Sequence, residues 1–157
     1  MERQPDIGYI PTPHEMIDAM LTLAGVGKND ILYDLGSGDG RILIKAAKQF
    51  QTRGVGIDID SSRIQEGREN AEKAGVSHLV EFRQADLFTS DIQEATVVIL
   101  YLLPHLNLKL RSRLFSQLKP GTRIVSRDFD MGDWTPQRSL CITAEEEDAT
   151  LHYWEIS

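Results

Sequence analysis

Apolar residues recur along this chain with two alternating periods, one helical and one extended. Met16, Ile17, Met20, Leu21 and Ala24 follow the three- and four-residue spacing of a helix. "TPHE" at 12–15 opens it: Thr12 suits the N-cap, Pro13 the first helical position and Glu15 a capping box, and Gly25 or Gly27 closes it. Short apolar runs then predict strands at 30–35 ("DILYDL"), 53–59 ("RGVGIDI"), 79–85 ("LVEFRQA"), 96–102 ("TVVILYL") and 122–129 ("TRIVSRDF"). The fourth is apolar enough for the centre of a sheet. Helices are predicted between them: 40–50 with Ile42, Ala46, Ala47 and Phe50 inward, about 61–74 closed by Gly75, and 105–118 stopped by Pro120 and Gly121. The tail differs, because "RSLCIT" and "TLHYWEI", parted by the acidic "AEEEDA", read as a hairpin.

Strand–helix alternation with right-handed crossovers predicts an α/β fold. It is a doubly wound, mostly parallel seven-stranded sheet with helices on both faces, and the terminal hairpin makes one edge strand antiparallel. Such sheets bind ligands at the carboxyl ends of their strands, where strand order reverses. A length of 157 residues predicts one domain, 1–157, with room for a sizeable core. The longest apolar run, "ATVVILYLLP", is too short to cross a bilayer, and the first residues lack the build of a secretory signal. No membrane segment is therefore expected, and the cytoplasm is the expected location. Cys141, the only cysteine, has no internal disulfide partner and no metal-ligand spacing around it, so no metal is expected. A net charge of −7 repels phosphate, making nucleic acid the less favoured partner, and steers a basic polypeptide favourably. The oligomeric state is left open.

Chemistry concentrates in "ILYDLGSGDGR", where a strand ends on an acid and Gly36, Gly38 and Gly40 follow. A dinucleotide loop would need glycine at 41, where Arg41 stands, and a Walker loop would close with G-K-[ST]. Asp34 and Asp39 beside a pyrophosphate would also oppose the helix N-terminus that attracts that anion. They suit a ligand carrying positive charge. S-adenosyl-L-methionine has an ammonium and a sulfonium, and the loop N–H groups are expected to take its carboxylate. Asp58, ending the next strand 24 positions on, is placed for two ribose hydroxyls, and Asp86 in "QADLF" for an adenine amino group.

"DLGSGDG" resembles the D/E-x-G-x-G-x-G signature of class I S-adenosylmethionine-dependent methyltransferases, and "GVGIDID" and "QADLF" resemble their next two motifs. "YIPTP", "DLGSGDGRI" and "DFDMGDW" are similar to the small protein-lysine methyltransferases related to those acting on a mitochondrial ATP synthase subunit and the adenine nucleotide translocase. The resemblance covers roughly 9–130. It implies in-line methyl transfer to a protein lysine. It also implies a cofactor site of Asp34, Gly36, Ser37, Gly38, Gly40, Asp58, Ile59, Asp86, Leu87 and Thr12, with Tyr101 and Asp128 as catalytic residues. RNA, DNA or a small metabolite as acceptor, and a binding module without turnover, are the alternatives. "YLLPH" lacks the Asn/Asp-Pro-Pro-aromatic motif of base-amino methyltransferases, which counts against nucleic acid.

Each position also has a plainer account. The glycines make a tight turn, Asp34 orients the loop, Asp39 caps the next helix and Asp86 forms a turn. Tyr9, Pro11 and Thr12 form either a lead-in or a flap over the methionine end. Tyr101 either faces substrate or fills the interior, and His105 starts a helix. Asp128 and Asp130 either bind an incoming cation or shape a bend. Trp134 either lines an apolar slot with Tyr101 or covers the core edge, and Met16 and Met20 read as core. A slot of Tyr101 and Trp134 would lower a lysine's pKa by desolvation, and no general base is named.

Overall fold

The computed structural model describes residues 12–157 except Leu103. Four helices, α1 (His14–Ala24), α2 (Arg41–Phe50), α3 (Ser61–Lys73) and α4 (Pro104–Gln117), alternate with β1 (Ile31–Leu35), β2 (Arg53–Asp58), β3 (Val80–Gln84), β4 (Val97–Leu100) and β5 (Arg123–Arg127). The chain ends in β6 (Arg138–Ala144) and β7 (Glu147–Glu155). The seven strands form one sheet in the order β3-β2-β1-β4-β5-β7-β6, with β1 to β5 parallel. The chain winds outward from β1 to β3, then returns to lay β4 on the other side of β1. That reversal opens a crevice above the carboxyl ends of β1 and β4.

Alternation along the strands divides the core into two layers. Leu32, Val97, Ile99 and Val125 meet Met16, Ile17 and Met20 of α1, Ile42 and Ala46 of α2, and Ile64 and Ala71 of α3. Tyr33, Leu35, Val98, Leu100 and Ile124 meet Leu110 and Leu114 of α4 with Trp154. Met16 and Met20 are fully buried, as core residues. Among the described residues no helix is long and apolar enough to cross a membrane.

Two local expectations are corrected. Thr12 does not cap α1: the N-cap is Pro13 in an extended conformation (φ −58°, ψ 146°), no side chain caps it, and the helix starts at His14. A residue preceding proline is held out of helical geometry, and the Thr12 hydroxyl is engaged elsewhere, accepting from Arg127 Nη1 at 3.3 Å. The expected hairpin is present, with a turn tighter than the acidic stretch. Asp148 pairs with Thr143 and Glu147 with Ala144, leaving a tight turn at Glu145 and Glu146 with φ 52° and 66°. Positive φ at both positions is the I′ geometry that matches strand twist. The antiparallel strand, β7, lies inside the sheet between β5 and β6, so the edge strand β6 runs with β5 rather than against it.

Gly40 shows how closely the site's scaffold is packed. At φ 82°, its absent Cβ would stand 2.6 Å from Phe82 Cζ and 3.4 Å from Gly67 Cα. Gly40→Ala should therefore lose about 2–4 kcal/mol from overpacking and left-handed strain together. Denaturant unfolding checks this. Adding Phe82→Leu should restore the packing part only, and full recovery in the double variant would show that backbone strain contributes nothing.

Candidate active site

The loop from β1 to α2 is fastened to its neighbours by its own amides. Gly36 and Ser37 N–H both donate to Ile57 O, at 2.8 and 3.2 Å, and Gly40 N–H donates to Ser37 O at 3.0 Å. Gly38 N–H donates to Asp58 Oδ2 at 3.0 Å, and Asn70 Nδ2 donates to Asp39 O at 3.0 Å. β2 lies close enough for this because Gly56 has no side chain: a Cβ there would meet Ser37 Cβ at 2.7 Å. The expectation that the loop's N–H groups receive a ligand carboxylate is thereby corrected for these four. Buried N–H groups need partners, and the end of β2 supplies the nearest acceptors.

Asp34, Asp39 and Asp58 converge around this loop. Asp34 is 3% exposed, and no hydrogen bond reaches its carboxyl among the described residues. Burial, then the charges of Asp58 and Asp39, hold its pKa well above the ordinary 3.8. Asp58 does double duty, since Oδ1 also accepts from Asp60 N–H at 3.0 Å. Asp39 forms an ion pair with Arg41 at 2.9 Å and accepts the Arg41 amide at 3.2 Å, so it braces the start of α2 from outside the N-cap, Gly40. Ile59, beside Asp58, is 64% exposed. Asp86 Oδ1 accepts from Phe88 N–H at 2.9 Å, the turn-forming role, and Leu87 packs on the α4-side core. Ser37 Oγ is buried without a hydrogen-bond partner among the described residues. A buried carboxyl whose ionised form is opposed by two like charges is completed by a cation. An exposed apolar side chain next to a carboxylate offers a surface to a nucleoside. The residues present thus fit a cationic nucleoside.

Past the ends of β4 and β5 the arrangement departs from expectation. Tyr101 stacks on Phe129, with ring centroids 6.0 Å apart and planes 14° apart, and Arg127 lies over its ring at 4.5 Å. Burial raises the Tyr101 pKa, as do the charges of Asp128 and Glu147 against the lowering effect of Arg127. Trp134 does not share this wall. It packs at 4.5 Å on Phe115 and 5.6 Å on Trp154, and its carbonyl accepts from Trp154 Nε1, so it covers the α4-side core. Asp128 has φ 65°, and its N–H and Oδ1 bond Thr150 O and N at 2.7 and 3.0 Å, the geometry of a bend knitted to β7. Asp130 is exposed and accepts from Gly132 N–H at 3.1 Å. His105 is exposed at the start of α4. Tyr9 and Pro11 lie outside the described residues. A groove of about 780 Å³ along the outer edge of β3, past Arg53 and His78, holds none of the predicted site residues.

Three residues were missed. Arg127 and Phe129 belong to this site, and Asn107, fully buried, donates through Nδ2 to Phe129 O and Asp130 O, both at 3.1 Å. Asn107 stands three and seven positions before the core residues Leu110 and Leu114, a polar residue on an apolar helical stripe. That spacing was a readable signal. Nothing local marked Arg127 or Phe129.

A sheet of this strand order, with three acids around a glycine loop at its reversal point, defines an S-adenosylmethionine-dependent methyltransferase. Residues 34–138 match the ANTKMT methyltransferase domain, and the chain belongs to that family. It is 40% identical to a protein-lysine N-methyltransferase of Saccharolobus islandicus over 99% of this chain and 98% of that protein. It is 28% identical to the adenine nucleotide translocase lysine N-methyltransferase of Mus musculus, covering 94% of this chain and 62% of that longer protein. The crystal structure of an RNA methyltransferase from Salinibacter ruber in complex with S-adenosyl-L-homocysteine is 57% identical, covers 94% of each chain and superposes with a TM-score of 0.88.

Asp34 makes the ligand-free protein pH-sensitive. An acid with a raised folded-state pKa binds more protons folded than unfolded. Its contribution to stability is therefore present at low pH and declines as pH rises past its ordinary value of 3.8. Asp34→Asn should melt above the parent at pH 7, with the difference shrinking towards pH 4. Thermal melts of ligand-free protein across that range check it; a lower-melting variant at pH 7 would contradict it.

Proposed function

We propose that this methyltransferase acts on lysine side chains of protein, seating S-adenosyl-L-methionine above the ends of β1 and β2 and admitting the acceptor beside Tyr101. The observation that carries the reading is the buried Asp34, set among Asp39 and Asp58 and in want of a cation. The full-length likeness to a protein-lysine methyltransferase supports the acceptor. In this reading Asp34 takes the ammonium, and Gly36, Ser37, Gly38 and Gly40 bring the loop backbone close. Asp58 holds the ribose, Ile59 and Leu87 flank the adenine, Asp86 accepts from its amino group, and Thr12 borders the methionine end. Residues 1–157 act as one domain, and the cytoplasm suits an acidic chain with a single cysteine.

S-adenosylmethionine, when bound, supplies an electrophilic methyl group. The protein's task is alignment, and fixing two reactants in line contributes about 7–11 kcal/mol. Tyr101 and Phe129 form one flat wall of the approach. A lysine entering beside them must arrive neutral, and its ordinary pKa is about 10.4. Desolvation against these rings lowers that value. Tyr101, kept protonated by burial, does not act as the base, and the Asp128 carboxylate is engaged with Thr150. Asp128 is accordingly assigned to shaping the wall that Tyr101 and Phe129 share, and the amine proton leaves to solvent before transfer.

RNA is the second reading, favoured by the Salinibacter relative and opposed by the net charge of −7. Incubating the protein with methyl-tritiated S-adenosylmethionine and a methylation-deficient lysate separates them. Protease-sensitive label on lysine is the expected result; label that survives protease and vanishes with nuclease would establish RNA instead. For the cofactor placement, Asp58→Ala should weaken S-adenosylhomocysteine binding by at least about 10-fold, since hydrogen bonds to charged groups contribute about 1.5–3 kcal/mol. Calorimetry reads it, and unchanged affinity would refute the placement.

A further inference from the structure

With four loop amides bonded inside the chain, the carboxylate of an amino-acid-bearing methyl donor needs a partner elsewhere. A buried guanidinium stands on the same face of the sheet. Asp34 follows Leu32, Tyr101 follows Ile99 and Arg127 follows Val125, all on the face covered by α1 and α2. The three residues stand at the carboxyl ends of β1, β4 and β5, which are adjacent in the sheet: Asp34 one residue before the end of β1, Tyr101 one past the end of β4, and Arg127 the last of β5. In register Asp34 lies opposite Ile99 and Ile99 opposite Val125, so two strand spacings and a two-residue offset along β5 put the Cα atoms of Asp34 and Arg127 about 12 Å apart. An α-amino acid with a charge-assisted hydrogen bond of about 2.8 Å at each end fits between them.

Among the described residues, Arg127 is under-bonded for so buried a cation. Its side chain is 5% exposed. Nη1 donates to Thr12 Oγ1 and Nη2 to Glu147 Oε2, both at 3.3 Å, beyond the usual range for such bonds. Nε has no hydrogen-bond partner among the described residues, the nearest acid being Asp128 Oδ2 at 3.7 Å. A guanidinium carries five N–H donors, and buried donors left unmet are costly. Thr12 Oγ1, which accepts from Arg127, still has its own proton to donate towards the same place.

We propose that Arg127, with the Thr12 hydroxyl beside it, binds the carboxylate of the S-adenosylmethionine amino-acid end while Asp34 binds the ammonium. This rests on the cofactor placement above. The donor is a better source of the carboxylate than an acidic side chain of the acceptor. Glu147, Asp128 and Asp34 already surround the site, and the donor's carboxylate arrives with its own ammonium and sulfonium.

The test is calorimetric and uses two ligands: S-adenosylhomocysteine, and its aminopropyl analogue, which keeps the amine and lacks the carboxylate. The parent protein should prefer S-adenosylhomocysteine by about 10- to 100-fold, the scale of a hydrogen-bonded charge pair. Arg127→Met should abolish most of that preference and leave the analogue's affinity unchanged, with Arg127→Lys in between. Equal affinity of the parent for both ligands overturns the proposal, even if Arg127→Met fails to fold. Equal weakening of both ligands in a folded Arg127→Met would make Arg127 a structural prop, which also overturns it. Unchanged affinities with a raised KM for the acceptor would assign the guanidinium to the acceptor instead. Asp58→Ala separates the two readings: if it weakens both ligands and Arg127→Met weakens neither, the placement stands and the Arg127 assignment fails.

Discussion

The site depends on one set of hydrogen bonds, those that pin the β1–α2 loop to the end of β2. Ile57 O receives two loop amides and Asp58 Oδ2 a third. The loop is thus a rigid extension of the sheet, held against β2 by a strand whose glycine leaves room for it. Rigidity of this kind serves alignment, because a loop already in place loses little entropy when ligand arrives. It also gives Asp58 two roles that cannot be varied separately. Its carboxylate sets the loop's position with one oxygen and holds the turn to Asp60 with the other.

Packing and polarity along the chain were enough to read the order of strands and helices. Each strand and helix declares itself by local periodicity, and Asp34 and Asp58 fall at the ends of adjacent strands, where topology alone brings them together. What was illegible depends on contacts between distant residues. Thr12 had every local mark of a cap, yet a residue 115 positions away claims its hydroxyl. Trp134 read as a slot wall because nothing local reveals its contact with α4, where Phe115, together with Trp154, makes the pocket that Trp134 fills. The turn at Glu145 and Glu146 carries neither glycine nor asparagine, so the two-residue hairpin had no sequence signal despite its regular ladder.

Charge in the crevice is arranged against the empty protein. Asp34 is deprived of water and faces two other carboxylates, which raises the cost of its ionised form. A cationic ligand relieves that cost on arrival. Part of its affinity is therefore the release of a penalty already built into the fold, and an uncharged nucleoside would forgo it. Selectivity for the sulfonium-bearing donor over its neutral product follows from the same source, since the product keeps the ammonium and loses the second positive charge. The acidic cluster thus favours exchange of product for donor without any moving part.

The acceptor wall is held by a different part of the chain. Phe129 sits opposite Tyr101 because Ser126 Oγ donates to its carbonyl at 2.6 Å, Asn107 donates to that carbonyl and the next, and Asp128 turns the backbone through a left-handed residue clasped twice by Thr150. A non-glycine residue at φ 65° is strained, and such strain persists only where surrounding bonds over-determine it. Those bonds come from α4, β5 and β7, not from the glycine loop. Glu147, at the start of β7, reaches Arg127 as well. The terminal hairpin, remote from the glycine motif in sequence, therefore shapes the ground on which an acceptor lands. Arg127 joins the two regions, because the guanidinium assigned to the donor's carboxylate also lies over the Tyr101 ring and is held by Glu147 of the hairpin. A substitution at Glu147 should therefore be felt at the donor's carboxylate as well as at the acceptor wall.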